Sequence, residues 1–345
     1  MKYLRFFAKT ASIILAALVI LIICGRVFIP KYATENVDGR VTGDYYAEEG
    51  PVDVIFVGSS TVYNAYIPAC IYEEYGFTSY DRANASQTIW QSYYMIRDAI
   101  NYNKPKMVVL DASFMKYGEE FKEEPSNRKT IDGMRLTVDK MMAAKVSMYE
   151  EESLLSYVFP ILRFHSRWND LKMEDLKYAF SDPKVTYDGF IIETGRDEEA
   201  AAAEEGSDES FAGFPDKPSE YLMKIIKLCR DEDVTLLIAK TPTLMDNWYV
   251  QYDEELDRIA KENGLVYINF DNAMDDIGLV QTEDYVDGYA HLNVFGAEKF
   301  SHYAGAYLRD NYDLPDRRGD ESTNRAWENR YFEYQNARAN AIAKD

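Results

Sequence analysis

Val52–Tyr63, VDVIFVGSSTVY, is the stretch from which the rest of the chain is read. Val52, Val54, Ile55, Phe56 and Val57, interrupted only by Asp53, form a short apolar run of the kind covered on both faces in a parallel sheet. Gly58 ends the run, because a glycine lets the backbone turn sharply and lets a ligand come close. Ser59 and Ser60 then fall at the carboxyl edge of the sheet, where open α/β folds hold their sites. Gly-Ser-Ser alone is a common turn, so Ser60 counts as a candidate nucleophile only if partners for it exist elsewhere.

Working outward, the same strand-then-helix alternation repeats. Ile67 to Tyr75 reads as a short helix closed by Gly76, Asp81 to Ser86 as a strand and loop, and Ala85 to Tyr102 as a helix with Ile89, Tyr93, Ile96 and Ile100 on one face. Lys106 to Ala112 follows as a strand after the breaker Pro105. Beyond residue 219 come a helix face (Tyr221, Leu222, Ile225, Ile226, Cys229), a strand (Val234 to Ala239), a helix ending at Asn263-Gly264 and a strand (Leu265 to Phe270). Such units with short connections predict an α/β fold, a three-layer α/β/α sandwich around a central, mostly parallel sheet. Between 116 and 217 the pattern loosens into a helical and acidic insertion with helices over Thr137 to Tyr149, Ser153 to Asn169 and Met173 to Ala179. The main domain is expected over 51–315, and 316–345 reads as a helical tail whose Trp327, Tyr331 and Tyr334 stripe packs on its own domain.

The N-terminus carries Lys2, Arg5 and Lys9 and then an uncharged run from Thr10 to Gly25. Continued through Arg26 to Ile29 it reaches about 20 residues, enough to span a bilayer with a snorkelling arginine. The residues before Cys24 are bulky, which suits neither a signal-peptidase site nor a lipoprotein cysteine. Residues 1–30 therefore read as a cytoplasmic tip and single-pass anchor and 31–50 as a polar stalk, with the catalytic domain outside the cell membrane. A net charge of −21 speaks against a nucleic-acid partner, since phosphate binding needs a clustered basic surface. Three cysteines, one of them in the anchor, do not make a disulfide framework; Cys70 and Cys229 read as core thiols. The acids from Asp197 to Glu209 lack the spacing of a calcium loop and read as a solvated run, so neither a metal nor a cofactor is expected.

A serine becomes a nucleophile when a histidine takes its proton and a carboxylate holds that histidine in the right tautomer. The chain has three histidines. His302 sits inside a helical stretch beside Phe300 and Tyr303, and His165 lies in the insertion near Arg167 and Trp168, a group that reads as a glycan or acyl contact or as simple packing. His291 lies on a loop, DYVDGYAHLNVFGA, with Asp284 and Asp287 ahead of it and an amphipathic helix, Ala297 to Leu308, behind. Asp287 is the better carboxylate on loop geometry and Asp284 the second, with a dyad lacking either left open.

VGSSTVYN near the start and DGYAHLNVFGAEKFS near the end resemble the first and last blocks of the SGNH/GDSL hydrolase superfamily. RANASQTIWQSYYMI, KPKMVVLDASF and FPILRFHSRWNDL resemble intermediate pieces of its membrane-anchored, DltD/AlgJ/AlgX-like members from Gram-positive bacteria. The resemblance covers about residues 52 to 310 and implies the SGNH-hydrolase variant of a flavodoxin-like sandwich. It implies Ser60 as nucleophile, with Ser59 in place of the usual Asp, and His291 as base. It also implies oxyanion and substrate contacts at Gly58, Ser59, Asn84, Ser86 and Gln87, with N–H groups at Ser60 and near Ser86 and the Asn84 amide as donors. Two departures stand against it: Leu110-Asp111-Ala112-Ser113 replaces Gly-x-Asn-Asp, and Asp287 lies four residues before the histidine rather than three. The implied activity is that of a serine esterase or O-acyltransferase acting on an acylated surface polysaccharide or teichoic-type polymer, in the transfer case beside a polytopic membrane acyltransferase. The alternative is a non-catalytic surface module that binds glycan or scaffolds an acyl-transfer machinery.

Overall fold

A computed structural model describes residues 2–29, 39–121, 123–181, 185–197, 199, 211–244 and 248–344. Five parallel strands, β1 (Val54–Gly58), β2 (Ser79–Ala83), β3 (Met107–Asp111), β4 (Thr235–Lys240) and β5 (Val266–Asn269), lie in the order β2-β1-β3-β4-β5. Because side chains alternate across a strand, each apolar run feeds two cores. Val54, Phe56, Met107, Val109, Leu237 and Ala239 enter one, and Ile55, Val57, Val108, Leu110, Leu236 and Ile238 the other. Burial on both faces explains the continuous apolar runs and requires a helical layer on each side.

Helices Ile89–Asn103, Asp216–Asp231 and Val250–Glu262 cover the second core, through Met95, Ile96, Leu222, Ile225 and Leu256. Helices Pro68–Tyr75, Val294–Asn311 and Glu321–Ile342 cover the first, through Ile71, Phe300 and Tyr334. The C-terminal helix packs on its own domain, with Trp327 stacked on Tyr72 at 4.9 Å between ring centroids. From β1 the chain moves to β2 on one side and to β3 on the other, so the order reverses at β1. A crevice opens at such a reversal, beyond the carboxyl ends of the strands.

Four expectations are corrected. The second strand begins at Ser79 rather than Asp81 and ends at Ala83 before the expected loop: β1 fixes its register from Val54 opposite Ser79, and its buried polar residues Ser79, Asp81 and Arg82 hide it from an apolar pattern. The helix expected over Ser153 to Asn169 breaks into Leu154–Val158, Ile161–Phe164 and a 3-10 turn, His165–Asn169. Pro160 supplies no N–H and crowds the preceding turn, which accounts for the break. The stretch 31–50 is not a stalk where it is described: Tyr45 is fully buried beneath the Arg82 guanidinium, 4.0 Å from its ring, and Asp44 accepts hydrogen bonds from the N–H groups of Val185 and Thr186. The helix expected over Thr137 to Tyr149 runs Val138–Ser147, since the Thr137 hydroxyl caps its start. Residues 30–38 and most of the acidic tract lie outside the described residues.

Candidate active site

β1 carries the chain into the crevice and Gly58 turns it. A Cβ at Gly58 would lie 2.5 Å from Val62 Cγ2 and 2.7 Å from Asp111 Cβ, so close approach of neighbouring chain, rather than a left-handed φ, requires glycine here. Ser59 occupies the N-cap position of the short helix Ser60–Tyr63 without a side-chain cap bond, its buried hydroxyl sharing a 3.0 Å hydrogen bond with Thr61 Oγ1 instead. Ser60 occupies the first helical position, where its own N–H has no acceptor within the helix. Its Oγ lies 2.8 Å from His291 Nε2.

The histidine is held from behind. Asp287 Oδ2 lies 2.7 Å from His291 Nδ1, and Asp287 Oδ1 accepts from the N–H groups of Tyr289, Ala290 and His291 at 3.2, 2.8 and 3.1 Å. Gly288 takes φ +73°, which folds the turn back on the carboxylate and absorbs the additional residue between Asp287 and His291. Burial works against charge on Asp287, but the donation from the His291 ring and from the Ala290 and His291 amides outweighs it, holding the carboxyl below the usual carboxylate range. An ionised carboxylate only accepts, so Nδ1 carries the proton and Nε2 is left as the acceptor facing the Ser60 hydroxyl. Asp284 serves elsewhere: it is buried, accepts from Lys299 Nζ at 2.7 Å and from the Val280 N–H at 2.7 Å, and closes the turn below the helix that follows His291.

Of the remaining sequence-derived site residues, Asn84, Ser86 and Gln87 stand at the same sheet edge, since Ala83 pairs with Gly58 across β1 and β2. Their side chains correct the expected oxyanion role. Both Asn84 amide hydrogens are committed, to Thr42 Oγ1 at 3.0 Å and Gln87 Oε1 at 3.3 Å. Gln87 Nε2 donates to the Arg82 carbonyl and to Ser92 Oγ. The two amides therefore build the 84–87 turn instead of facing a substrate, and hold Ser86 at φ +54°. Among the expected donors, this leaves the backbone N–H groups of Ser60, at the first helical position, and of Ser86, at the turn. Asp111, where the superfamily pattern would place part of its third block, is spent on the N–H groups of Ser113 and Thr241.

A strap within the insertion, unmarked in the sequence, ties these parts together. Asp188 and Gly189 turn the chain with positive φ, after which the Ile191 N–H donates to the Tyr63 carbonyl at 2.9 Å and Asn64 Nδ2 to the Ile191 carbonyl at 3.1 Å. Farther along, the Glu193 carbonyl accepts from the Val294 N–H at 2.7 Å, and the Gly195 carbonyl from Asn293 Nδ2 at 3.0 Å. One segment thus binds the end of the Ser60 helix and the residues just after His291. Burial and the charge of Glu193 push the Tyr63 phenol up to about 12, keeping it neutral beside Ser60. On the other flank the loop after β4 leans on the same turn, the Leu244 N–H donating to the Tyr289 carbonyl at 2.6 Å. No group of acids, histidines and cysteines among the described residues is arranged to hold a metal ion. His302 pairs with Glu74 and Tyr75 on the surface, and His165 Nδ1 turns to the Leu162 carbonyl of its own chain segment.

No protein-family model and no curated protein matches the chain. Among solved structures it is similar to a GDSL-like lipase from Bacteroides thetaiotaomicron, at 11% identity over 79% of this chain and 97% of that one, with a TM-score of 0.37. It is also similar to a protein from Bacteroides fragilis assigned as an acylhydrolase, at 11% identity over 77% and 95% of the two chains, with a TM-score of 0.36. A likeness of that depth adds nothing to the sheet order, and the chemistry rests on the site.

Proposed function

We propose that the chain is a serine esterase or O-acyltransferase that forms an acyl-enzyme on Ser60. The observation that carries this reading is the relay Asp287 Oδ2, His291 Nδ1, His291 Nε2, Ser60 Oγ, joined at 2.7 and 2.8 Å. Nε2 accepts the Ser60 proton while Oγ attacks an acyl carbonyl carbon. The resulting oxyanion falls to the N–H groups of Ser60 and Ser86, and the imidazolium, stabilised by Asp287, returns the proton to the departing alcohol. Water or a second hydroxyl then enters along the same path, so hydrolysis and acyl transfer share every residue named.

The substrate reading follows from placement. The helix Lys2–Phe28 has the length and apolarity to cross a membrane, and most of its surface is unburied. With the basic N-terminus inside, the Ser60 edge faces the cell exterior, where an O-acyl ester of a surface glycan or teichoic-type polymer is the substrate. A non-catalytic glycan-binding module would be supported by a Ser60 out of reach of His291; at 2.8 Å that support is absent. The test is labelling of the intact protein by a fluorophosphonate probe, followed by peptide mapping. Label on Ser60 that disappears in Ser60→Ala and falls sharply in His291→Ala is expected. Label that persists in Ser60→Ala overturns the assignment.

A further inference from the structure

The N-terminal helix does not leave the domain freely. Its last turn is wrapped by the Ile161–Phe164 helix, the His165–Asn169 turn and the Met173–Ala179 helix. Pro160 lies in contact range of Gly25, Val27 is buried, Arg167 donates to the Phe28 carbonyl, and Arg26 donates to the Ser181 carbonyl at 3.5 Å. Arg167 thereby satisfies a carbonyl that the end of a helix leaves without an intrahelical partner. The segments that wrap the turn and the Leu154–Val158 helix ahead of them expose large apolar side chains: Leu155, Leu162, Trp168 (67% exposed), Met173, Leu176 and Phe180 (75% exposed). Nothing else in the described chain covers them.

Geometry fixes what lies beside them. The uncharged run Thr10 to Gly25 is about 24 Å long at about 1.5 Å per residue, slightly short of the roughly 30 Å of a bilayer's hydrocarbon. A helix that spans with this run, completed by Arg26 to Ile29, keeps Gly25–Phe28 at the outer hydrocarbon boundary, with Arg26 snorkelling to the headgroups. Whatever packs on Gly25–Phe28 therefore sits at the membrane interface, the depth that tryptophan and short amphipathic segments prefer. In water, a set of exposed apolar side chains this large is a liability.

We propose that residues 154–181 form a membrane-interface foot, whose exposed apolar side chains enter the outer headgroup region around the exit of the anchor. The occupant of this surface is lipid. The foot gives the domain a second attachment beside the anchor and so fixes the height and tilt of the Ser60–His291 edge over the bilayer. This rests on the reading of Lys2–Phe28 as an outward-directed anchor.

The experiment uses the full chain in phosphatidylglycerol and phosphatidylethanolamine vesicles and reads Trp168 emission as the difference between wild type and Trp168→Phe. Quenching of Trp168 by lipids brominated near the glycerol backbone, with protection from aqueous iodide, is expected. A Phe180→Trp substitution in the Trp168→Phe background should regain the lipid-quenched signal. A chain that resists alkaline extraction while Trp168 and the introduced Trp are quenched by iodide and not by lipid overturns the foot and leaves the anchor standing, the outcome expected of a surface that docks a protein. A chain released by alkaline extraction overturns anchor and foot together, whereas probe labelling of Ser60 is independent of both.

Discussion

Replacing Asp287 by asparagine separates orientation of the imidazole from everything else in the site. Three N–H groups point at Asp287 Oδ1, so the asparagine oxygen must stay there, because its NH₂ would face three donors. The NH₂ is then left 2.7 Å from His291 Nδ1 and donates to it, which moves the ring proton to Nε2. Nε2 can no longer accept from Ser60. In serine triads the wrong tautomer lowers kcat on the order of 10⁴-fold, which is about 5.4 kcal/mol of transition-state stabilisation. KM should hold, since Asp287 faces the histidine and its own turn. Exchanging charge-assisted for neutral hydrogen bonds should cost about 1–2 kcal/mol of stability. That cost has a pH signature: the folded-state carboxyl is depressed, so its contribution is complete above the unfolded value of about 3.9 and fades as pH falls through the folded value. Steady-state turnover of an activated aryl ester gives kcat and KM, and denaturant melts at several pH values give the stability. A variant that keeps kcat within about tenfold of wild type, against the 10⁴-fold expected for a triad, would refute an orienting Asp287 and leave a Ser60–His291 dyad.

Asp284→Asn should do the opposite, lowering stability by about 1–3 kcal/mol through the buried contacts to Lys299 and Val280 while kcat per folded molecule stays near wild type; a large kcat loss at unchanged melting would contradict it. Gly58→Ala should destabilise by about 1–3 kcal/mol and lower kcat as well, because its Cβ meets Val62 and Asp111 beneath Ser60, and unaltered melting and turnover would show that the approach relaxes freely. Asp81 is buried in β2 with both carboxyl oxygens unpartnered among the described residues, and burial followed by the charge of Asp188 pushes its pKa well up. A raised carboxyl loses stability as pH rises from its unfolded toward its folded value, so Asp81→Asn should stabilise by about 1–3 kcal/mol at neutral pH and much less in acid. Denaturant titrations at both pH values measure this, and a variant less stable than wild type at neutral pH would contradict it.

The sheet was legible because β1, β3 and β4 are apolar enough to declare burial on both faces, and β5, though half exposed at the sheet edge, follows a helix that ends at Asn263-Gly264. β2 was only half legible for the converse reason: Ser79, Asp81 and Arg82 are buried but polar, and what makes them strand residues is pairing with β1. The relay was legible in its types and order, since a serine after a Gly turn and a histidine on an acid-bearing loop each carry local chemistry. The strap was not. Its grip on Tyr63, Asn64, Asn293 and Val294 runs mainly through backbone carbonyls and N–H groups, which every residue possesses and no composition reveals.

The same distinction explains why the Asn84 and Gln87 side chains drop out of the expected oxyanion and substrate contacts while the expected main-chain N–H groups of Ser60 and Ser86 are kept. A sequence displays Asn84 and Gln87 as amides with donors to offer, but whether those donors are spent depends on Thr42, which lies 42 residues away and enters through a segment whose pattern suggested only a polar stalk. Thr42 takes one Asn84 hydrogen and Gln87 the other, and Ser86 in this turn stands at φ +54°. A non-glycine residue held there stores strain of order 1–3 kcal/mol, which the buried amide network must offset. Under the proposed acyl-enzyme mechanism such a turn would hold the Ser86 N–H as a preorganised main-chain donor, and Thr42, far from Ser60 in sequence, takes part in holding that turn.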